Sequence, residues 1–392
     1  MLVCFTGGGT LGHIYPALAV HDVLLETEGY SALWIGRDNE GEREAVRRAG
    51  IPFYPIQSGK MRRYWSWENF SDIFRLIAAF FQALSLLRKK RPDVLFSKGG
   101  YVSVPPVFAA KLLGIRVITH ESDATPGLAT RLNSVCASVV CIPFAGSEGS
   151  LNPAKVVVSG NPIRKELSSD RDITHFNIPG DIPLLLVLGG SQGSRQINTL
   201  VRENLPLLCS LAFVIHQCGE NDYQDIEMEN YFPVPLLGPE LGTLYRKSAL
   251  VVSRGGAGTI SELLVFGCAS LIIPLSMESS RGDQVANAKR LVQEGGARAM
   301  LGEVTKENFM KEVGDLLENP EKRGILSLNA KRLAVTGSAE MIASSYYKEH
   351  RHGLGNDNRI SIFQLAGYHR VLSGHCRWDC RHDNRLCRLL LP

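Results

Sequence analysis

This chain of 392 residues contains no uninterrupted run of about 18 apolar residues, so nothing in it reads as a membrane span. Charge of one sign is also missing. Lys and Arg number 43 against 39 Asp and Glu, a net +4, which argues against a dedicated nucleic-acid binder and leaves only local patches to matter. The nine cysteines follow no regular framework, and with the first apolar strand beginning at Leu2 no leader is expected. Free thiols in a reducing cytosol are the expectation. What remains is an ordinary soluble composition, 44% hydrophobic and 21% charged. A chain this long is more than one core accommodates, so two domains of roughly 150–200 residues are expected.

Glycine is what the sequence has in pattern. An apolar strand at Leu2–Phe5 runs into Gly7, Gly9 and Gly12, and Pro16 sits where the first turn of a helix follows. Strands at Ala32–Ile35, Val94–Phe96 and Val117–Thr119 alternate with helical stretches such as Val107–Leu113. The rhythm restarts after "VVVSGNPIRKEL". "PLLLVLGG" leads into "SQGSRQINTL", "AFVIH" is another strand, "ALVVSRGGAGTISELL" repeats strand, glycine turn and helix, and "SLIIP" precedes a helix from about Gln284 to Glu294. The alternation predicts α/β architecture: two Rossmann-like domains with parallel sheets and a cleft between them, ligands lying outside the carboxyl ends of the strands.

The spacing of Gly7, Gly9 and Gly12 is that of a dinucleotide fingerprint, with Asp38 placed for a ribose and Arg37 for a 2′-phosphate. The same spacing suits any phosphate, because it supplies only backbone N–H groups and a helix N-terminus. "SKGGYVSVPP" adds a second glycine turn in the first half, and a diphosphate is a guest of the right size for two such turns. In the second half Ser191 of "LGGSQGS" stands at an expected helix start, as ligand or as cap. "SRGGAGTISELL" lets the chain approach a ligand at Gly255, Gly256 and Gly258. Thr259 is expected to begin the helix there, and Glu262, one turn in, to accept from a ribose diol or to complement the helix dipole. Asp283 and Gln284 precede the last helix, while His120, Glu121 and Asp123 of "THESDATPGL" form a polar wall that no second cluster turns into a metal site.

Together these motifs resemble the lipid-linked N-acetylglucosaminyltransferases of peptidoglycan synthesis, the MurG type, with the two-domain GT-B fold. The resemblance runs from residue 1 to about 348 through "GGGTLGHIYPALAV", "SGKMRRYW", "SKGGYVSVPPVFAAKLLGI", "HESDATPGLATR", "GNPIR", "LGGSQGSRQIN", "SRGGAGTISELL" and "SRGDQVANA". It implies transfer of GlcNAc from UDP-GlcNAc to the C4 hydroxyl of MurNAc in lipid I, giving lipid II, with no cofactor and no metal assigned. It also implies donor contacts from Thr10, Leu11, Gly12, Asp123, Arg164 and Ser191, and from the turn Ala257, Gly258, Thr259, Ile260, Ser261 and Glu262. Thr259 would meet the diphosphate, Glu262 the ribose, Gln284 the GlcNAc hydroxyls and Gly238 the uracil. Leu11 replaces a glycine common in relatives, and Asp123 stands where many have asparagine.

Inverting transfer needs a base, and His13 suits by its ordinary pKa near 6.5, with Glu121 the alternative and Asp123 a weaker one. Residues 60–91 carry eight Lys/Arg against two acidic groups, a net +6, around Ile73, Phe74, Ile77, Phe80, Phe81, Leu84 and Leu87 at helical spacing. By itself this is a core-packing helix with a basic end; a lipid acceptor makes it a helix lying on an anionic membrane surface. The expected organisation is therefore 1–160 facing acceptor and membrane, 161–350 binding UDP-GlcNAc, and a tail at 351–392. The tail holds His375, Cys376, Cys380, His382 and Cys387 on no common zinc spacing and is expected to be disordered. The enzyme would sit peripherally on the cytoplasmic face of the cell membrane, alongside other cell-wall synthesis proteins and without nucleic acid. A GT-B transferase with another acceptor, or a nucleotide-binding module without catalysis, are the alternative readings.

Overall fold

Strands rich in Val, Leu and Ile, each followed by a turn and a helix, bury both of their faces, and that requires helices on both sides of a parallel sheet. A computed structural model describes residues 1–8, 12, 14–57, 68–190, 192–275 and 282–347 and has this form twice over. The first half runs β1 (Leu2–Thr6), α1 (Tyr15–Leu24), β2 (Ser31–Arg37), α2 (Glu40–Arg48), β3 (Phe53–Ile56), α3 (Glu68–Lys90), β4 (Val94–Ser97), α4 (Val104–Leu112), β5 (Arg116–His120), α5 (Leu128–Cys136), β6 (Val139–Ile142) and β7 (Val156–Val158). The second runs β8 (Leu184–Leu188), α6 (Arg195–Glu203), α7 (Leu205–Leu211), β9 (Phe213–Gln217), β10 (Tyr231–Val234), α8 (Leu241–Lys247), β11 (Leu250–Ser253), α9 (Ala257–Phe266), β12 (Ser270–Ile272), α10 (Asp283–Gln293) and β13 (Arg298–Ala299). Three helices close it: α11 (Lys306–Glu318), α12 (Pro320–Leu333) and α13 (Ser338–Ser344).

Both sheets are wholly parallel, in the orders β3-β2-β1-β4-β5-β6-β7 and β10-β9-β8-β11-β12-β13. In each, the order reverses between two adjacent strands, β1 and β4 in the first and β8 and β11 in the second. The four glycine turns leave from those four strands. Successive side chains serve opposite faces: Cys4 and Leu95 join one core, Val3, Phe5, Val94 and Phe96 the other. The second sheet is covered likewise, by one cluster that includes Ile260 and Leu263 of α9 and another that includes Phe309 and Val313 of α11.

The turns after β1 and β4 are pressed together. A Cβ on Gly100, whose φ is +77°, would lie 2.7 Å from the Gly8 carbonyl oxygen, so only glycine fits. Beneath lies Glu42 of α2, 3% exposed, whose carboxylate accepts from Trp34 Nε1 at 3.1 Å. The helix α3 differs from a single apolar stripe. Ala79, Ala83 and Leu87 are buried in the first core and Phe80 and Leu84 pack partly against it, while Phe74, Ile77 and Phe81 are 65%, 49% and 61% exposed. Ile73's side chain and residues 351–392 lie outside the described residues. Among those described, no helix is long and apolar enough to cross a membrane, and six cysteines are buried free thiols.

The last described helix returns to the first half. Ile342, Ala343 and Tyr346 are buried in one cluster with Ile14, Ala17, Val20 and Leu24, and Tyr347 Oη donates to Thr27 Oγ1 at 3.2 Å. In the second half a buried polar chain links Tyr231 Oη, His216 and Asn198 at 2.9 and 3.0 Å. Burial, assisted by Arg202 and opposed by Asp222, holds the His216 pKa down to about 3 from an ordinary 6.5. The unfolded chain therefore binds one more proton than the folded one between those values. Stability from this group is complete above the unfolded value and is lost as pH falls, by about 1.4 kcal/mol per pH unit. Denaturant titrations of wild type and His216→Gln are expected to converge as pH is lowered from 7 to about 4; a constant gap would rule this out.

Candidate active site

The turns of the first half and the helix ends of the second meet along a polar seam. Glu121 organises its first-half side. Its Oε1 accepts from the N–H groups of Ser122 and Asp123 at 2.8 and 3.1 Å, and its Oε2 from that of Gly127 at 2.9 Å. The loop so fixed faces two asparagines that hold the halves together. Asn161 donates through Nδ2 to the Ser122 carbonyl and to Ser261 Oγ, both at 2.9 Å. Asn287 of α10 accepts from Ala124 N at 2.7 Å and donates to Asp123 Oδ1 at 2.9 Å and to the Gly255 carbonyl at 3.1 Å. Burial lifts the Asp123 carboxyl to about 6, with the Asn287 hydrogen bond acting against it.

Below that loop lies Lys98, 1% exposed, at the end of β4. Its Nζ donates to Ser122 Oγ. Burial lowers its pKa to about 8, while Glu121, Asp123 and Cys141 pull the other way.

On the second-half side, α9 starts at Ala257 with Gly256 as its cap, two residues before the expected start at Thr259. Gly256, extended at φ −70° and ψ 134°, already sets the chain for the helix, so Thr259 falls inside the first turn. The first ladder bond runs from Ile260 N to the Gly256 carbonyl at 2.9 Å. The N–H groups of Ala257, Gly258 and Thr259 therefore stand ahead of the ladder, an anion-binding arrangement. Ile260 itself is a core side chain, and Ser261, bonded to Asn161 and to the Ala257 carbonyl, belongs to the seam.

Glu262 is buried and held at both oxygens, by Arg164 Nε at 3.3 Å and by Tyr245 Oη at 3.0 Å. Burial raises its pKa, and those two partners oppose the rise. Arg164 also reaches across the seam, its guanidinium 5.9 Å from the Tyr15 ring centre. Gln284 accepts from Leu275 N at 3.0 Å in the first turn of α10. Gly238 sits in the turn before α8, where its N–H meets Glu240 Oε1 at 2.8 Å, and Gln217 ties the neighbouring Leu237 to Gly190.

Thus Glu121, Asp123, Arg164, Ser261 and Glu262 are brought to one seam, with Gln284 one turn from Asn287. Gly12 is exposed. Thr10, Leu11, His13 and Ser191 lie outside the described residues, and the cap of α6 is Ser194, which accepts from Ile197 N at 3.2 Å. Sequence reading passed over Lys98, Asn161, Tyr245, Arg254 and Asn287. Arg254 donates through Nε to Ser194 Oγ at 2.8 Å, and its buried Nη1 has no partner among the described residues. Asn287 had a signal: it lies three residues after Gln284, on the same helix face. One Asp-x-Asp spacing exists, Asp170-Arg171-Asp172, but Asp170 pairs with Arg246 at 2.8 Å and Asp172 caps Thr174 N at 2.9 Å. No group of three potential metal ligands occurs among the described residues.

Two doubly wound halves with glycine turns at both switch points and a polar seam between them define a protein of the GT-B fold class. Residues 3–142 match the Glycosyltransferase family 28 N-terminal domain and residues 184–344 the Glycosyltransferase family 28 C-terminal domain. A UDP-N-acetylglucosamine--N-acetylmuramyl-(pentapeptide) pyrophosphoryl-undecaprenol N-acetylglucosamine transferase of Clostridium botulinum (strain Kyoto / Type A2) is 41% identical over 324 residues, 81% of this chain and 91% of that protein. The transferase of the same name from Treponema denticola is 39% identical over 343 residues, 80% of this chain and 88% of its own. The crystal structure of Acinetobacter baumannii MurG matches with a TM-score of 0.70 and 25% identity, over 88% of this chain and 98% of that one. The chain belongs to this family of N-acetylglucosamine transferases, the MurG type.

The seam is assembled by close backbone approach. A Cβ on Gly255 would lie 2.5 Å from the Gln284 carbonyl oxygen. Gly255→Ala is expected to cost about 1–3 kcal/mol of stability in denaturant unfolding, and an unchanged midpoint would show that α10 can retreat without loss.

Proposed function

We infer that this chain transfers N-acetylglucosamine from UDP-N-acetylglucosamine to the C4 hydroxyl of the N-acetylmuramyl residue in lipid I, forming lipid II. The observation that carries the reading is 41% identity, spread over 81% of the chain, to a relative named for that transfer. Residues 1–160 take the acceptor and 161–350 the donor. Glu262 receives the ribose diol, Gln284 the sugar hydroxyls and Gly238 the uracil. Arg164, Ser191 and the N–H groups of Ala257, Gly258 and Thr259 receive the diphosphate, with Thr10, Leu11 and Gly12 closing over it from the first half. His13 takes the proton from the acceptor hydroxyl as the anomeric carbon inverts. Glu121, its carboxylate already accepting from three amides, holds the Ser122–Asp123 loop. Negative charge that grows on the departing UDP meets a helix end and the Arg254 guanidinium, which saves reorganisation at the moment of reaction.

Helix α3 supports placement on a membrane. Its exposed Phe74, Ile77 and Phe81 and its basic end at Arg88, Lys89 and Lys90 suit an anionic lipid surface, and the acceptor lives in one. The enzyme then works peripherally, on the cytoplasmic face of the cell membrane.

Incubating the full chain with UDP-GlcNAc and a lipid I analogue should release UDP and form the disaccharide; folded protein that forms none would overturn the reading. His13→Ala is expected to reduce that rate by about 10²–10⁴-fold without altering the thermal midpoint. In flotation assays, Phe74→Ser with Phe81→Ser should lower binding to phosphatidylglycerol vesicles and leave turnover of a water-soluble acceptor analogue in place; equal vesicle binding would remove α3 from the membrane contact.

A further inference from the structure

The turns that the donor reading gives to uracil and to the diphosphate follow different strands, and one side chain is bonded to both. Gln217 is the last residue of β9, level with Leu188 at the end of β8, and it is 5% exposed. Its Oε1 accepts from the N–H of Leu237, next to Gly238, at 3.0 Å. Its Nε2 donates to the Gly190 carbonyl at 2.9 Å. Among the described residues no other side chain is bonded to both the turn at 189–194 and the turn at 235–240.

The two partners demand an amide. A backbone N–H needs an acceptor and a backbone carbonyl needs a donor, so the ends of the side chain must differ in polarity, and the partners fix which end goes where. A carboxylate would set a second acceptor against the Gly190 carbonyl. An apolar side chain would leave the buried Leu237 N–H unmet, which costs more than the bond itself contributes. The Gly190 carbonyl also accepts from Gly193 N at 3.0 Å, so two donors hold it. Gly190 lies at φ +84° with open space where a Cβ would point, and those two bonds are what fix its peptide unit. An anion site made of backbone N–H groups depends on which way such units face.

At the other end Leu237 belongs to the second-half core, and the neighbouring Gly238 N–H meets Glu240 Oε1 at 2.8 Å. The C4 carbonyl of uracil can take that N–H over from Glu240, whereas the C4 amino group of cytosine is itself a donor and cannot. We propose that Gln217 is a positioning residue, a single amide that holds the uracil turn and the diphosphate turn at one spacing. The preference for uracil then depends on a buried side chain behind the turn as well as on the turn itself. The inference rests on the donor reading.

Calorimetric titration of the full chain with UDP and with CDP at one pH tests this, because the two ligands differ only at the edge of the base. Wild type should prefer UDP. Gln217→Met, close to glutamine in size, should weaken UDP about thirtyfold and CDP about threefold, so that the preference falls about tenfold. Gln217→Glu keeps an acceptor for the Leu237 N–H and should hold the preference within about twofold of wild type. A glutamine that only filled space would weaken both nucleotides alike. Wild-type preference in folded Gln217→Met, or a preference lost as fully in Gln217→Glu as in Gln217→Met, would overturn the proposal. If Gln217→Met fails to fold by circular dichroism, Gln217→Asn, one carbon too short to reach both turns, takes its place with the same two outcomes. Equal binding of UDP and CDP by wild type would remove the uracil contact and this proposal with it. Folded wild type that binds neither nucleotide would overturn the donor reading itself.

Discussion

Adjacent parallel strands stand only about 4.8 Å apart, so turns that leave neighbouring strand ends compete for one small volume. Here that competition arises twice, at β1 beside β4 and at β8 beside β11, where the strand order reverses. Side chains lose it. The Gly100 α-carbon lies so near the Gly8 carbonyl that a methyl group has no room. What remains at the strand ends is bare backbone and the starts of helices, both rich in N–H groups. The fold, driven by burying apolar strands, thereby delivers a surface suited to phosphates.

The join between the halves is chemically unlike either interior. Asn161 and Asn287 donate and accept among Ser122, Asp123, Ala124, Gly255 and Ser261. Each such bond nets about 0.5–1.5 kcal/mol. That is small beside cores built from dozens of apolar side chains, so changes in one proton or one charge matter here as they would not inside a sheet.

Much of this was legible in the linear sequence, because glycine turns and strand patterning are local. The alternation of apolar runs with turns found β1, β2, β4, β5, β8, β9, β11 and β12 to within a residue or two and passed over β3, β6, β7, β10 and β13, while the ordered motifs pointed to the turns at both switch points. Residues whose meaning depends on what crosses from elsewhere were not legible. Nothing around Lys98 announces that Ser122 will sit over it, and Tyr245 meets Glu262 only because α8 packs on α9. The α3 stripe shows another limit: helical spacing says which residues share a face, and only the neighbouring strands and α4 decide where that face ends. Thr259 was placed two residues late because an extended glycine at 256 can cap a helix without the side-chain signal that serine or threonine gives.

The return of α13 to the first half has a consequence for biosynthesis. Ile342, Ala343 and Tyr346 finish a core whose other members lie within the first 150 residues, with Tyr346 2% exposed. During translation the amino-terminal sheet is therefore made first but completed last. Its α1 face stays uncovered while some 200 further residues emerge, at rates of about 5–20 residues per second. The second half is synthesised before that lid arrives, so translation imposes an order in which the first half is sealed last, by the helix that follows the second half in the chain.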